Sequence, residues 1–131
     1  MIYLLNPSLI ELSDPWHGDP YSFTHVFGLV VVVVLIENIL VTGLAELIKK
    51  TGIHNLATVL VIALLAGALH AVQAFAWFFP AFLSFFVLTF SYLLWRSVNK
   101  RTAFGVIFII HSVNNLLAIS PYYLFAEQSW L

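Results

Sequence analysis

Between Thr24 and Ile48 the chain runs without a lysine or an arginine, over a length that fits one crossing of a lipid bilayer. A helix rises about 1.5 Å per residue and the hydrocarbon layer is about 30 Å thick, so a crossing takes about 20 predominantly apolar residues. Inside hydrocarbon every backbone N–H and C=O must find its partner within the segment, which makes helix the form for such a stretch. Three more segments repeat the pattern, from Asn55 to about Phe79, from Ala81 to about Ser97 and from Thr102 to about Phe125. The expected fold class is therefore all-α, a polytopic membrane helical bundle of about four transmembrane helices occupying residues 24–131. A composition 62% hydrophobic and 8% charged, spread along the chain, leaves no stretch for a soluble domain.

The breaks between spans carry ordinary stop signals. Lys49, Lys50, Thr51 and Gly52 end the first, Asn55 is placed to cap the second, and Pro80 is expected to break the chain before the third. Arg96, Lys100 and Arg101 bound the turn into the fourth. The five basic residues thus lie in the turns after spans one and three, which share one side, and positive charge in short loops marks the cytoplasmic side. Both termini are then extracytoplasmic, with an aromatic belt of Trp16, Tyr21, Trp77, Tyr122, Tyr123 and Trp130 and with Tyr92 and Trp95 opposite. Residues 1–23 form an extracytoplasmic or interfacial segment. Met1–Tyr21 holds Pro7, Pro15 and Pro20 and no basic residue, unlike a secretory signal, and Leu4, Leu5, Leu9, Ile10 and Trp16 suit the headgroup boundary.

Several chemistries are excluded at this level. The absence of cysteine removes disulfides, thiolate metal sites and cysteine nucleophiles. A net charge of −1 and scattered basic residues give no stripe for nucleic acid, and no Gly-rich phosphate loop occurs. His17 with Asp14 and Asp19 reads as a solvated loop, and His25 and His54 read as boundary residues.

The polar residues inside the spans are the informative ones. Counted inward from the basic ends at about 1.5 Å per residue, Glu37 lies roughly 18 Å deep, His70 roughly 22 Å, and His111 and Asn115 roughly 15 and 21 Å. A charge at such depth costs about 2.5 to 3.5 kcal/mol, so these groups are expected to face the interior and find partners. His111 and Asn115, four apart, share a helix face, as do Asn38 and Thr42, whereas spacing does not choose between Asn114 and Asn115. Gly43, Ala66 and Gly67 are small enough for backbones to approach. Glu46 is expected to pair with Lys49 or Lys50 in the basic turn.

Such a set admits more than one chemistry. Glu37 with a histidine can activate a water as general base while the other histidine and Asn115 donate to a developing oxyanion. The same glutamate and histidines can hold a metal, and His70 and His111 can ligate a haem. There is no HExxH, which disfavours a zincin-like site.

At these positions the sequence resembles the CAAX protease and bacteriocin-processing family of intramembrane peptidases. The family pattern Glu-Glu-x-x-x-Arg-Gly aligns with Glu37-Asn38-Ile39-Leu40-Val41-Thr42-Gly43, with Asn38 and Thr42 where the family has its second glutamate and arginine. Phe-x-x-x-His aligns with Ala66-Gly67-Ala68-Leu69-His70, and His-x-x-x-Asn with His111-Ser112-Val113-Asn114-Asn115. The resemblance covers roughly residues 34–117. It implies a metal-independent endopeptidase with no cofactor, in which Glu37 and His70 activate water, His111 and Asn115 form the oxyanion site, and Asn38 and Thr42 are supporting residues, while spacing keeps Asn114 as a further supporting candidate. The implied partners are the lipid bilayer, a membrane-associated protein or peptide substrate, and a further membrane subunit or second copy to close the substrate chamber. The alternatives are a non-catalytic subunit stabilising a larger membrane complex and, behind it, a haem or metal carrier.

Overall fold

The computed structural model describes the backbone of residues 23–126. The expectations for Met1–Tyr21, including Trp16, His17, Asp14 and Asp19, lie outside the described residues. So do those for Trp130 and for the side chains of His25, Tyr122 and Tyr123.

The described chain folds as helices joined by short connections. Helix α1 (Phe23–Phe27) runs through a π-helical turn (Gly28–Val33) into α2 (Val34–Lys49). Helices α3 (Asn55–Ala71), α4 (Phe78–Trp95, preceded by a 3₁₀ turn at Phe75–Trp77) and α5 (Lys100–Ala126) follow. Three stretches, Gly28–Lys49, Phe75–Trp95 and Lys100–Ser120, are long and apolar enough to cross a bilayer, and α3 is a shorter apolar helix. The protein is an integral membrane helical bundle.

The breaks fall where local chemistry places them. Gly52 adopts φ +78°, a left-handed conformation that L side chains rarely take, and its N–H returns to the Lys49 carbonyl at 3.2 Å. His54, and not Asn55, caps α3: its Nδ1 accepts from the Leu56 N–H at 3.3 Å. The second break comes earlier than expected. Helix α3 ends at Ala71, the chain turns through residues 72–77, and Pro80 sits inside the first turn of α4. That position has no intrahelical partner for an N–H, so a proline is accommodated there. At the third break, Asn99 Oδ1 accepts from the Arg101 and Thr102 N–H groups and starts α5 two residues before the predicted Thr102.

Packing is tightest in the α3–α4 hairpin. A Cβ built on Gly67 would stand 3.1 Å from the Phe78 carbonyl oxygen and 3.2 Å from Phe82 Cβ, so a larger residue there would require α4 to give way by a few tenths of an ångström. Gly43, expected to serve likewise, has open space around it. The core is built from Val41 and Ala45 of α2, Val59, Ile62 and Ala66 of α3, Phe85 and Leu88 of α4, and Ala103 and Ile107 of α5. Outward faces such as Ile36, Leu40, Leu69 and Leu83 stay exposed, as suits lipid contact.

The basic end is tied by one carboxylate. Glu46 accepts from Tyr92 Oη at 3.0 Å and pairs with Arg96 Nε at 3.0 Å and Lys100 Nζ at 2.7 Å, joining α2 to α4 and α5. This corrects the expected local pair with Lys49 or Lys50; Lys49 instead caps the turn by donating to the Ile53 carbonyl at 2.7 Å.

Candidate active site

Glu37 lies in the first turn of α2, and its two carboxylate oxygens face two histidines from different helices. His111 Nε2 is 3.2 Å from Oε2 and His70 Nε2 is 3.7 Å from Oε1. The three spans that the sequence predicts to contribute Glu37, His70 and His111 thus bring them together at one level. The residues differ in their surroundings: His111 is buried, while Glu37 and His70 are partly exposed.

Each histidine is held from behind. His70 Nδ1 lies 2.8 Å from the carbonyl of Ala66, one turn back on α3; a carbonyl only accepts, so that nitrogen carries the hydrogen and Nε2 is turned to Glu37. His111 Nδ1 lies 3.0 Å from the side-chain amide of Asn38, which is fully buried. Phe85 of α4 packs against both imidazoles, its ring centroid 5.6 Å from that of His70 and 5.4 Å from that of His111. In the sequence Phe85 is one more apolar residue of the third span, with nothing to single out this packing role. The signal lay in the coincidence of Phe85 and Leu88 with the buried face of α4, which a uniformly apolar helix hides.

The remaining candidates act at a distance from the carboxylate. Asn115, not Asn114, is the amide that reaches across: its Nδ2 donates to the Leu29 carbonyl at 3.1 Å. Ser112, not singled out by the sequence, donates to the Val30 carbonyl at 2.9 Å. Both acceptors belong to the π-helical turn, where the wider winding turns carbonyls toward α5. Thr42 bonds back to its own helix, at 2.8 Å from the Asn38 carbonyl and 3.2 Å from that of Ile39. Asn38 and Thr42 therefore steady His111 and the α2 backbone, and the only side chains paired with the Glu37 carboxylate among the described residues are the two histidines.

Beside Glu37 and His70 a cavity of about 320 Å³ opens between α2 and α3. Glu37, His70 and Gln73 form its polar end, and Leu40, Leu44, Leu65 and Leu69 form an apolar wall. Leu40, Leu65 and Leu69 are exposed, so the mouth faces the lipid side of the bundle.

Among the described residues no three His, Cys, Asp or Glu side chains are gathered as a metal's ligands are. Comparison of the chain with protein-family models, curated proteins and solved structures gives no match.

Proposed function

We propose that the protein is an intramembrane peptidase that hydrolyses a membrane-associated protein or peptide with a water activated by Glu37, as the resemblance to the CAAX protease and bacteriocin-processing family implies. The observation that carries this reading is the position of Glu37, bracketed by two imidazole Nε2 atoms at the polar end of an apolar cavity open to lipid.

A carboxylate in that position accepts a proton from water as the oxygen attacks a carbonyl, and His70, exposed to the same cavity, passes a proton to the leaving amine. The oxyanion formed on the substrate needs donors that are fixed before the reaction. His111 is fixed by Asn38, and Asn115 retains a second amide hydrogen beyond the one given to Leu29. The apolar wall suits a substrate segment that arrives from the bilayer, and the basic turns are assigned to the cytoplasmic side with both termini extracytoplasmic.

A second reading has its own support. The bonds from Asn38 to His111 and from Asn115 to Leu29 tie the first helix to α5, so the same polar set can serve a non-catalytic subunit of a membrane complex. Glu37→Gln separates the two. With membrane proteins co-expressed, the peptidase reading expects processing to stop while assembly and copurifying partners are retained; processing that continues at the wild-type rate in Glu37→Gln overturns it.

A further inference from the structure

Asn38 is fully buried, and its amide has one side occupied and one side empty. One end lies 3.0 Å from His111 Nδ1, and the other, Nδ2 when Oδ1 faces the ring, has no hydrogen-bond partner. An amide rotated by half a turn about its last torsion exchanges oxygen and nitrogen in nearly the same space, so two hydrogen arrangements share this heavy-atom geometry.

Their proton accounting differs. If Oδ1 faces His111, Nδ1 must carry the hydrogen, Nε2 is left bare, and the 3.2 Å contact to Glu37 needs a further proton lodged between imidazole and carboxyl. That arrangement also strands both hydrogens of Nδ2 in a site with no accessible surface. If Nδ2 faces His111, it donates to a bare Nδ1, the ring hydrogen moves to Nε2, and Nε2 donates directly to Glu37 as a carboxylate. Only a carbonyl oxygen is then short of a partner, and buried oxygens tolerate that better than buried N–H groups.

The proton no longer needed between Glu37 and His111 has a natural holder. His70 already donates Nδ1–H to Ala66, and a proton on its Nε2 faces Glu37 Oε1 at 3.7 Å. The cluster then has the same total charge as before, with the positive charge on the histidine that borders the cavity.

We propose that Asn38 is a positioning residue that donates its amide nitrogen to His111 Nδ1, fixes His111 as the Nε2–H tautomer, and thereby gives Glu37 a hydrogen-bond donor that favours its unprotonated carboxylate. Its catalytic meaning rests on the peptidase reading; the tautomer itself does not. In that state Glu37 is ready to take a proton from water.

The test is the ¹⁵N spectrum of the full chain in lipid nanodiscs with histidine and asparagine labelled. The expected result is a His111 ring with hydrogen on Nε2 and none on Nδ1, and a coupling between Asn38 Nδ2 and His111 Nδ1 across the N–H···N bond. A hydrogen on His111 Nδ1 in the wild-type protein, with no such coupling, overturns the proposal even if no variant folds. Asn38→Leu should release the ring into a mixture of tautomers; an unchanged single Nε2–H form in that variant denies Asn38 its role. The spectrum does not depend on turnover. The expected tautomer together with processing that survives Glu37→Gln removes the peptidase reading and leaves the inference standing.

Discussion

Asn115 donates to the carbonyl of Leu29 across 3.1 Å, joining α5 to the one π-helical turn of the first helix. Ser112 makes the neighbouring bond to Val30 at 2.9 Å. Interhelical bonds of this kind are worth about 0.6 to 1.7 kcal/mol each in membrane proteins. Ser112→Ala and Asn115→Ala should each destabilise by about 1 kcal/mol and speed amide exchange within Gly28–Val33. If Asn115 also supplies an oxyanion hydrogen, its substitution lowers processing well beyond that of Ser112→Ala; equal, small losses would assign Asn115 to structure alone.

Gly67 to alanine is the smallest change that should loosen the bundle. The new methyl meets a backbone carbonyl and the Cβ of Phe82, neither of which can swing aside as a flexible chain end does. Overpacking of this kind costs about 1 to 3 kcal/mol. Unfolding in mixed micelles should report it, and the same change at Gly43, which lies within α2 and faces open space, should cost nothing and gain up to about 1 kcal/mol of helix propensity.

Removing the Glu46 carboxylate should weaken the basic end in a salt-dependent manner. Arg96, Lys100 and Tyr92 all converge on it, and its side chain is about a quarter exposed, at 26%. Partly solvated pairs are worth up to about 1 kcal/mol and fade as ionic strength rises. Glu46→Gln is therefore expected to cost about 1 kcal/mol in dilute buffer and distinctly less at high salt. A cost independent of salt would place the Tyr92 hydrogen bond, and not the charges, in control.

Filling the lipid-facing mouth tests whether the cavity is the way in. Leu65→Trp adds bulk to the apolar wall while leaving Glu37, His70 and His111 in place. Processing should fall at least tenfold with little change in unfolding. Unaltered processing in a folded Leu65→Trp protein would move substrate entry elsewhere.

The helices and the level of the polar residues were legible because hydrocarbon imposes one solution on a long apolar segment and a steep cost on a buried charge. Glu37, His70 and His111 followed from that cost. Where α3 ends was less legible. Residues 72–79 are as apolar as a span, and Pro80 drew attention away from Val72, Gln73 and Ala74, where the chain turns. The partners of Glu46 were misread because a local pair in the sequence competed with two cations brought in by α4 and α5. The roles of Ser112 and Phe85 depend on what faces them, the carbonyls of a π turn and the rings of two imidazoles. Residue type alone carries neither.

Helix α3 has 17 residues, about 26 Å of rise, whereas α5 has 27, about 40 Å. Lipids beside α3 meet an apolar wall a few ångströms shorter than their own tails, and a bilayer answers such a mismatch by thinning locally. His70 is the penultimate residue of that helix, so headgroups and their water are drawn toward it on the side where the cavity opens. The short α3 thereby brings hydration toward the Glu37 carboxylate at the polar end of the cavity.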